Sequence, residues 1–168
     1  MSAADLVAIG RALATVPIMW AILSDARPLA LVVFVLAALS DALDGPLARR
    51  AGSLGPRGAF LDPIADKILV VGALIALALA GSGWPVTLLA VLVGLREGIV
   101  AVARWGILAR GVALPADQLA KVKTVAEMAG VALIIVGGRP WSVAGAAVVG
   151  LGFAIGLLTL PRYLGRGA

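Results

Sequence analysis

Six apolar runs, each roughly 20 residues long and so matched to the hydrocarbon thickness of a bilayer, take up most of this chain. They extend from Leu6 to Leu23, Pro28 to Leu47, Ala59 to Ala80, Pro85 to Leu108, Gln118 to Val136 and Trp141 to Leu160. Runs of that length leave few foldings open. In hydrocarbon every backbone amide must find a partner within the protein, and an α-helix supplies one inside its own segment. The expected fold class is an all-α integral membrane protein of about six transmembrane helices. It is expected to form one domain over residues 1–168, with no room for a separate soluble unit. Composition agrees, since 62% of residues are hydrophobic and 14% charged, against about 25% charged in a soluble domain. Mean hydropathy is +1.09.

Between the runs, Gly81-Ser82-Gly83-Trp84-Pro85 and Gly137-Gly138-Arg139-Pro140 read as short turns that end one helix and start the next. The first run is too long for a signal-peptide core and lacks a clear cleavage site, so it is expected to be a retained helix.

Cations sort by connection. Arg11, then Arg49, Arg50 and Arg57, then Arg110, Lys121 and Lys123, then Arg162 and Arg166 fall on one side of a six-span topology, and Arg27 and Arg139 on the other. The positive-inside rule then predicts a multi-pass protein of the cell inner membrane with both termini cytoplasmic. Trp20, Trp84 and Trp141 fall near the outer boundary and Trp105 and Tyr163 near the inner one, as interfacial aromatics do. The net charge of +5 is tied to membrane borders and shows no nucleic-acid-binding pattern. Membrane lipid or an anionic substrate is the expected partner instead. Cysteine and histidine are both absent, which removes thiolate nucleophiles, imidazole bases and the usual zinc ligands. Any metal here must be held by oxygen.

Asp41 and Asp44 are three positions apart and Asp62 and Asp66 four, so on helices each pair shares a face. If the two helices pack antiparallel, all four acids converge at the cytoplasmic end. Ionised carboxylates within a bilayer are costly and mark function or a partner. Two divalent ions would balance four negative charges, and hard Mg2+ or Mn2+ suits carboxylate oxygen. A two-metal carboxylate site suits phosphoryl-type displacement. Gly45 and Gly58 would let a ligand approach the backbone, Ala48 leaves space, and the Arg49 guanidinium can reach a phosphate.

These residues reproduce a longer pattern. Asp41, Asp44, Gly45, Ala48, Arg49, Gly58, Asp62 and Asp66 follow D-x-x-D-G-x-x-A-R, eight residues, then G-x-x-x-D-x-x-x-D with no spacing error. The chain thereby resembles the CDP-alcohol phosphatidyltransferases. The resemblance implies a six-helix membrane fold with a cytoplasm-facing cavity, usually a homodimer. It implies an enzyme of phospholipid biosynthesis in which an acceptor hydroxyl attacks the diacylglycerol-bearing phosphorus of a CDP-linked lipid and CMP leaves. Carried onto this chain, Asp41, Asp44 and Asp62 would hold the metals, and Asp66 would contact one metal and act as general base. Gly45, Ala48, Arg49 and Gly58 would embrace the CDP moiety.

The run Phe60-Leu61-Asp62-Pro63-Ile64-Ala65-Asp66-Lys67 resembles phosphatidylglycerophosphate synthases and cardiolipin synthases. Leu119-Ala120-Lys121-Val122-Lys123-Thr124, with Arg96-Glu97, resembles the phosphatidylglycerophosphate branch. That implies CDP-diacylglycerol as donor and sn-glycerol 3-phosphate as acceptor, with Arg110, Lys121 and Lys123 as candidate contacts for the acceptor phosphate. Phosphatidylglycerol and inositol phosphate remain alternative acceptors, and a cation transporter is the alternative of another class. Gly55 stands where many relatives carry threonine, and Asp5 and Ala8 replace a common asparagine and threonine before Arg11.

Further charges lie deep in the runs. Arg104 and Glu127 fall at similar depths and are expected to pair. Arg96 and Glu97 either line the cavity or pair internally. Gly94 with Gly98, and Gly152 with Gly156, have the small-residue spacing of close helix packing, within one subunit or at a dimer seam.

Overall fold

The structure, a computed structural model, describes the backbone of residues 3–50, 58–109 and 118–164, and the side chains of residues 8–40, 64–107 and 118–160. Those residues form six helices and, among themselves, no strand: α1 (Ala3–Leu23), α2 (Arg27–Arg50), α3 (Gly58–Leu79), α4 (Trp84–Ala109), α5 (Gln118–Val136) and α6 (Arg139–Leu164). Each apolar run has become one helix. The ends extend past the runs where Arg27, Trp84 or Arg139 opens the first turn.

Three tight turns repeat one design. A residue of positive φ precedes each restart: Asp25 at 57°, Gly83 at 102° and Gly138 at 78°. Proline then occupies the second position of the next helix, as Pro28, Pro85 and Pro140. There its fixed φ suits the helix and its missing N–H is not needed. The amide of Ser142 finds the Gly138 carbonyl at 3.0 Å, and that of Val86 the Gly83 carbonyl at 3.1 Å. These turns gather one set of ends, so the C-terminal part of α2 and the N-terminal parts of α3 and α5 share the opposite end.

α1 packs on both α2 and α3, α5 lies along α6, and α4 bridges α3 and α6. Direct packing of α2 on α3 is not among the substantial contacts of the described residues; α1 mediates between them. Each helix supplies a fully buried side chain to one core, among them Ile18, Phe34, Leu74, Val93, Ile134 and Val149. The outer surface is also apolar, with Val102 75% and Leu158 72% exposed. Meanwhile Arg11, Arg96, Glu97, Lys123 and Glu127 are buried. Charge inside and aliphatic surface outside is the polarity of a protein solvated by lipid. Trp84–Ile107 and Arg139–Leu160 are each long and apolar enough to cross a membrane.

Candidate active site

The four aspartates of the motif fall on two helices. Asp41 and Asp44 lie in the last ten residues of α2, together with Gly45, Ala48 and Arg49. Gly58 opens α3, Asp62 is four residues further and Asp66 eight. At about 1.5 Å of rise per residue, Asp66 is roughly 12 Å into its helix. Both sets are at the end away from the three tight turns. The side chains of Asp41, Asp44, Gly45, Ala48, Arg49, Gly58 and Asp62 lie outside the described residues, as does Arg110 altogether. Among the described residues, no three potential metal ligands cluster.

The Asp66 side chain is described, and it is not alone. The Arg11 guanidinium of α1 donates through Nη1 to Asp66 Oδ1. Arg11 is buried and the Asp66 side chain is 19% accessible. The pair depends on how α1 meets α3. Gly72 on α3 lies so close to the Thr15 methyl that a Cβ there would collide with it. That contact, four residues beyond Arg11 on α1 and six beyond Asp66 on α3, brings the two helices together near Arg11 and Asp66.

Next to Asp66, Lys67 turns toward α4. Its Nζ lies 3.0 Å from Glu97 Oε2. Glu97 Oε1 accepts from Arg96 Nη1 and from Lys123 Nζ of α5. Lys123 Nζ is also 3.1 Å from Glu127 Oε2, one turn on along its own helix. Arg96 Nη2 donates to the Gly156 carbonyl and to Thr159 Oγ1 of α6, both at 2.9 Å. Thus one buried carboxylate joins side chains from α3, α4 and α5 and, through Arg96, reaches α6.

The network resolves two expectations. Arg96 and Glu97 pair internally. The expected Arg104–Glu127 pair does not form: Glu127 takes Lys123, and Arg104 has no ion pair among the described residues. Similar depth brings two groups to one level, but the rotation of each helix decides whether they face. Among the basic acceptor candidates, Lys121 is exposed and Lys123 buried. Their two-residue spacing puts them on different sides of α5.

In the sequence, Arg11 reads as a topology marker and Lys67 carries no role. The available signal was a rule of satisfaction: a charge deep in an apolar run must have a partner. That rule demands partners for Arg11 and Lys67 without saying which.

Oxygen-only donors suit a hard divalent ion, and the Asp66 carboxylate is one such donor. The arrangement places a carboxylate beside an arginine, next to a buried cationic group, at one end of a lipid-facing bundle.

Comparison with known proteins points the same way. The family model for CDP-alcohol phosphatidyltransferase matches residues 1–159. A Mycobacterium tuberculosis protein named probable phosphatidylglycerophosphate synthase is 37% identical over 145 residues, covering 85% of this chain and 68% of that protein. A Sodalis glossinidius protein named CDP-diacylglycerol–glycerol-3-phosphate 3-phosphatidyltransferase is 38% identical over 140 residues, 82% of this chain and 71% of its own. An Escherichia coli protein of the same name is 35% identical over 138 residues, 80% of this chain and 76% of that one.

Proposed function

This chain belongs to the CDP-alcohol phosphatidyltransferase family, and from that premise we propose that it transfers the phosphatidyl group of CDP-diacylglycerol to sn-glycerol 3-phosphate. The products are phosphatidylglycerophosphate and CMP. The observation that carries the reading is the likeness, over four fifths of this chain, to proteins named for that donor and acceptor.

In this reading the acceptor hydroxyl attacks the phosphorus that bears diacylglycerol, and the bond to the CMP oxygen breaks. Asp66 receives the hydroxyl proton on a carboxylate oxygen, a role that a positioned acid can fill without histidine. Arg11 keeps that carboxylate in place. Asp41, Asp44, Asp62 and Asp66 would hold two divalent cations, Mg2+ or Mn2+, which would supply charge stabilisation for the attacking and the leaving oxygen. Gly45, Ala48, Arg49 and Gly58 take the CDP moiety, while Lys123, with Arg110, supplies charge for the acceptor phosphate; Lys121, exposed on another side of α5, adds only to the charge of that end. The domain is single, over residues 1–168, and works as a homodimer in the inner membrane with its active site cytoplasmic. That placement matches the substrates, since the donor is held by acyl chains and the acceptor arrives from water.

The test is product identification. Purified protein is incubated with CDP-diacylglycerol, Mg2+ and separate acceptors: glycerol 3-phosphate, phosphatidylglycerol and inositol phosphate. The expected result is phosphatidylglycerophosphate, with one CMP released per lipid formed. Cardiolipin or a phosphatidylinositol phosphate as the main product would move the acceptor assignment. Cation flux in liposomes without CMP release would replace transfer by transport.

A further inference from the structure

Three cations converge on Glu97, and two of them, Lys67 and Lys123, come from different helices. Two ammonium groups held that close repel each other unless a negative charge lies between them. Glu97 supplies it, taking Lys67 on Oε2 and Lys123 on Oε1. The carboxylate cannot drift, because Arg96 also holds it and is itself fastened to the Gly156 carbonyl and the Thr159 hydroxyl.

A purely structural account leaves two observations without a reason. Lys67, Arg96 and Lys123 face only Glu97 and Glu127 within the group, so one positive charge is uncompensated inside it. Arg96 Nε and Glu127 Oε1 are buried with no hydrogen-bond partner. Apolar packing would join the same helices without either cost, since a buried ion network stabilises no better than well-packed hydrophobic groups. A cationic excess suits an anion. Lys67 is bonded in the chain to Asp66, so the excess adjoins the carboxylate that takes the acceptor's proton in the proposed function.

We propose that Glu97 is a positioning residue that sets Lys67 beside Lys123, so that the two ammonium groups together receive the phosphate of the acceptor alcohol. The inference rests on the proposed function and deepens it: Lys67 becomes a contact for the acceptor, and Glu97 acts through the lysines without touching substrate. The phosphate joins a site already charged and ordered, which keeps the binding cost low.

The experiment is steady-state kinetics of the full-length protein in lipid nanodiscs, varying each substrate in turn, for wild type, Glu97→Gln, Glu97→Asp and Lys67→Met. For Glu97→Gln and Lys67→Met, the KM for glycerol 3-phosphate is expected to rise about tenfold or more, the scale of one charge-assisted hydrogen bond. The KM for CDP-diacylglycerol is expected to stay within about twofold in both, and Glu97→Asp is expected to recover part of the loss. If Glu97→Gln does not fold, Lys67→Met decides, because it removes one cation from a group that has one in excess. An unchanged acceptor KM in Lys67→Met overturns the inference. So does a parallel rise of both KM values with a lowered Tm, which marks a structural role only. A wild type that uses another phosphorylated alcohol overturns only the glycerol 3-phosphate assignment, and the KM for that alcohol is then the one read. A wild type that accepts only uncharged alcohols, or releases no CMP with any acceptor, overturns both.

Discussion

Asp66 has the Arg11 guanidinium on its carboxylate and Lys67 next in the chain. An arginine on a carboxylate oxygen fixes the carboxylate's direction. Asp66→Asn keeps the size of the side chain and removes its ability to take a proton. The expected outcome is a fall in turnover of about 10²- to 10⁴-fold, the usual worth of a general base, with CDP-diacylglycerol still bound. CMP release measured beside nucleotide binding checks it, and a rate close to wild type would remove Asp66 from the chemistry. That Asp66 matters is legible in the residue pattern, because four acids at fixed intervals among apolar residues are expensive unless used. That Arg11 is its partner is not legible. Both residues are visible in the chain, but the pairing follows from the Thr15–Gly72 approach, which sets how α1 is turned against α3.

Between elements the same limit applies to glycine. In lipid, apolar surface gains nothing from leaving its solvent, so helices associate through close van der Waals packing and small residues. The closest approach of α5 to α6 uses Gly130 and Gly145, where a Cβ on either would come 2.7 Å and 2.5 Å, respectively, from the other's carbonyl oxygen. Gly152 and Gly156, picked out by their spacing, do pack within the subunit: a Cβ on Gly152 would lie 2.8 Å from Glu127 Cγ, and one on Gly156 3.1 Å from Arg96 Nε. Gly94 makes only ordinary contact with Val71, and Gly98 faces open space. Spacing finds glycines that share a face, yet the face can point outward. Gly145→Val is expected to separate α5 from α6 at a cost of about 1–3 kcal/mol, the range for overpacked sites. Thermal unfolding in detergent should show a lowered Tm, whereas Gly98→Val should leave Tm nearly unchanged. Equal effects of the two would contradict the packing assigned to α5 and α6.

Over the whole molecule, the polarity runs from a charged interior to an aliphatic surface, and the tight turns at one end contrast with the acidic motif at the other. The cation bias between the two sets of connections predicts which end faces the cytoplasm. A reporter fused after Ala168 that is active only in the cytoplasm should therefore report full activity, and one active only outside should be silent. The reverse pattern would invert the orientation and strand the acidic motif from a water-borne acceptor. Helix number, helix length and the end that bears the motif could all be determined from sequence, because each follows from local rules: bilayer thickness, backbone satisfaction and the residues that stop a helix. Only the tertiary structure decided that α1 mediates between α2 and α3, that Glu127 takes Lys123 in place of Arg104, and that Glu97 gathers cations from three helices. Periodicity tells which residues of a helix share a face. The rotation of that face toward a neighbour is settled by packing among all six helices at once, which no single segment encodes.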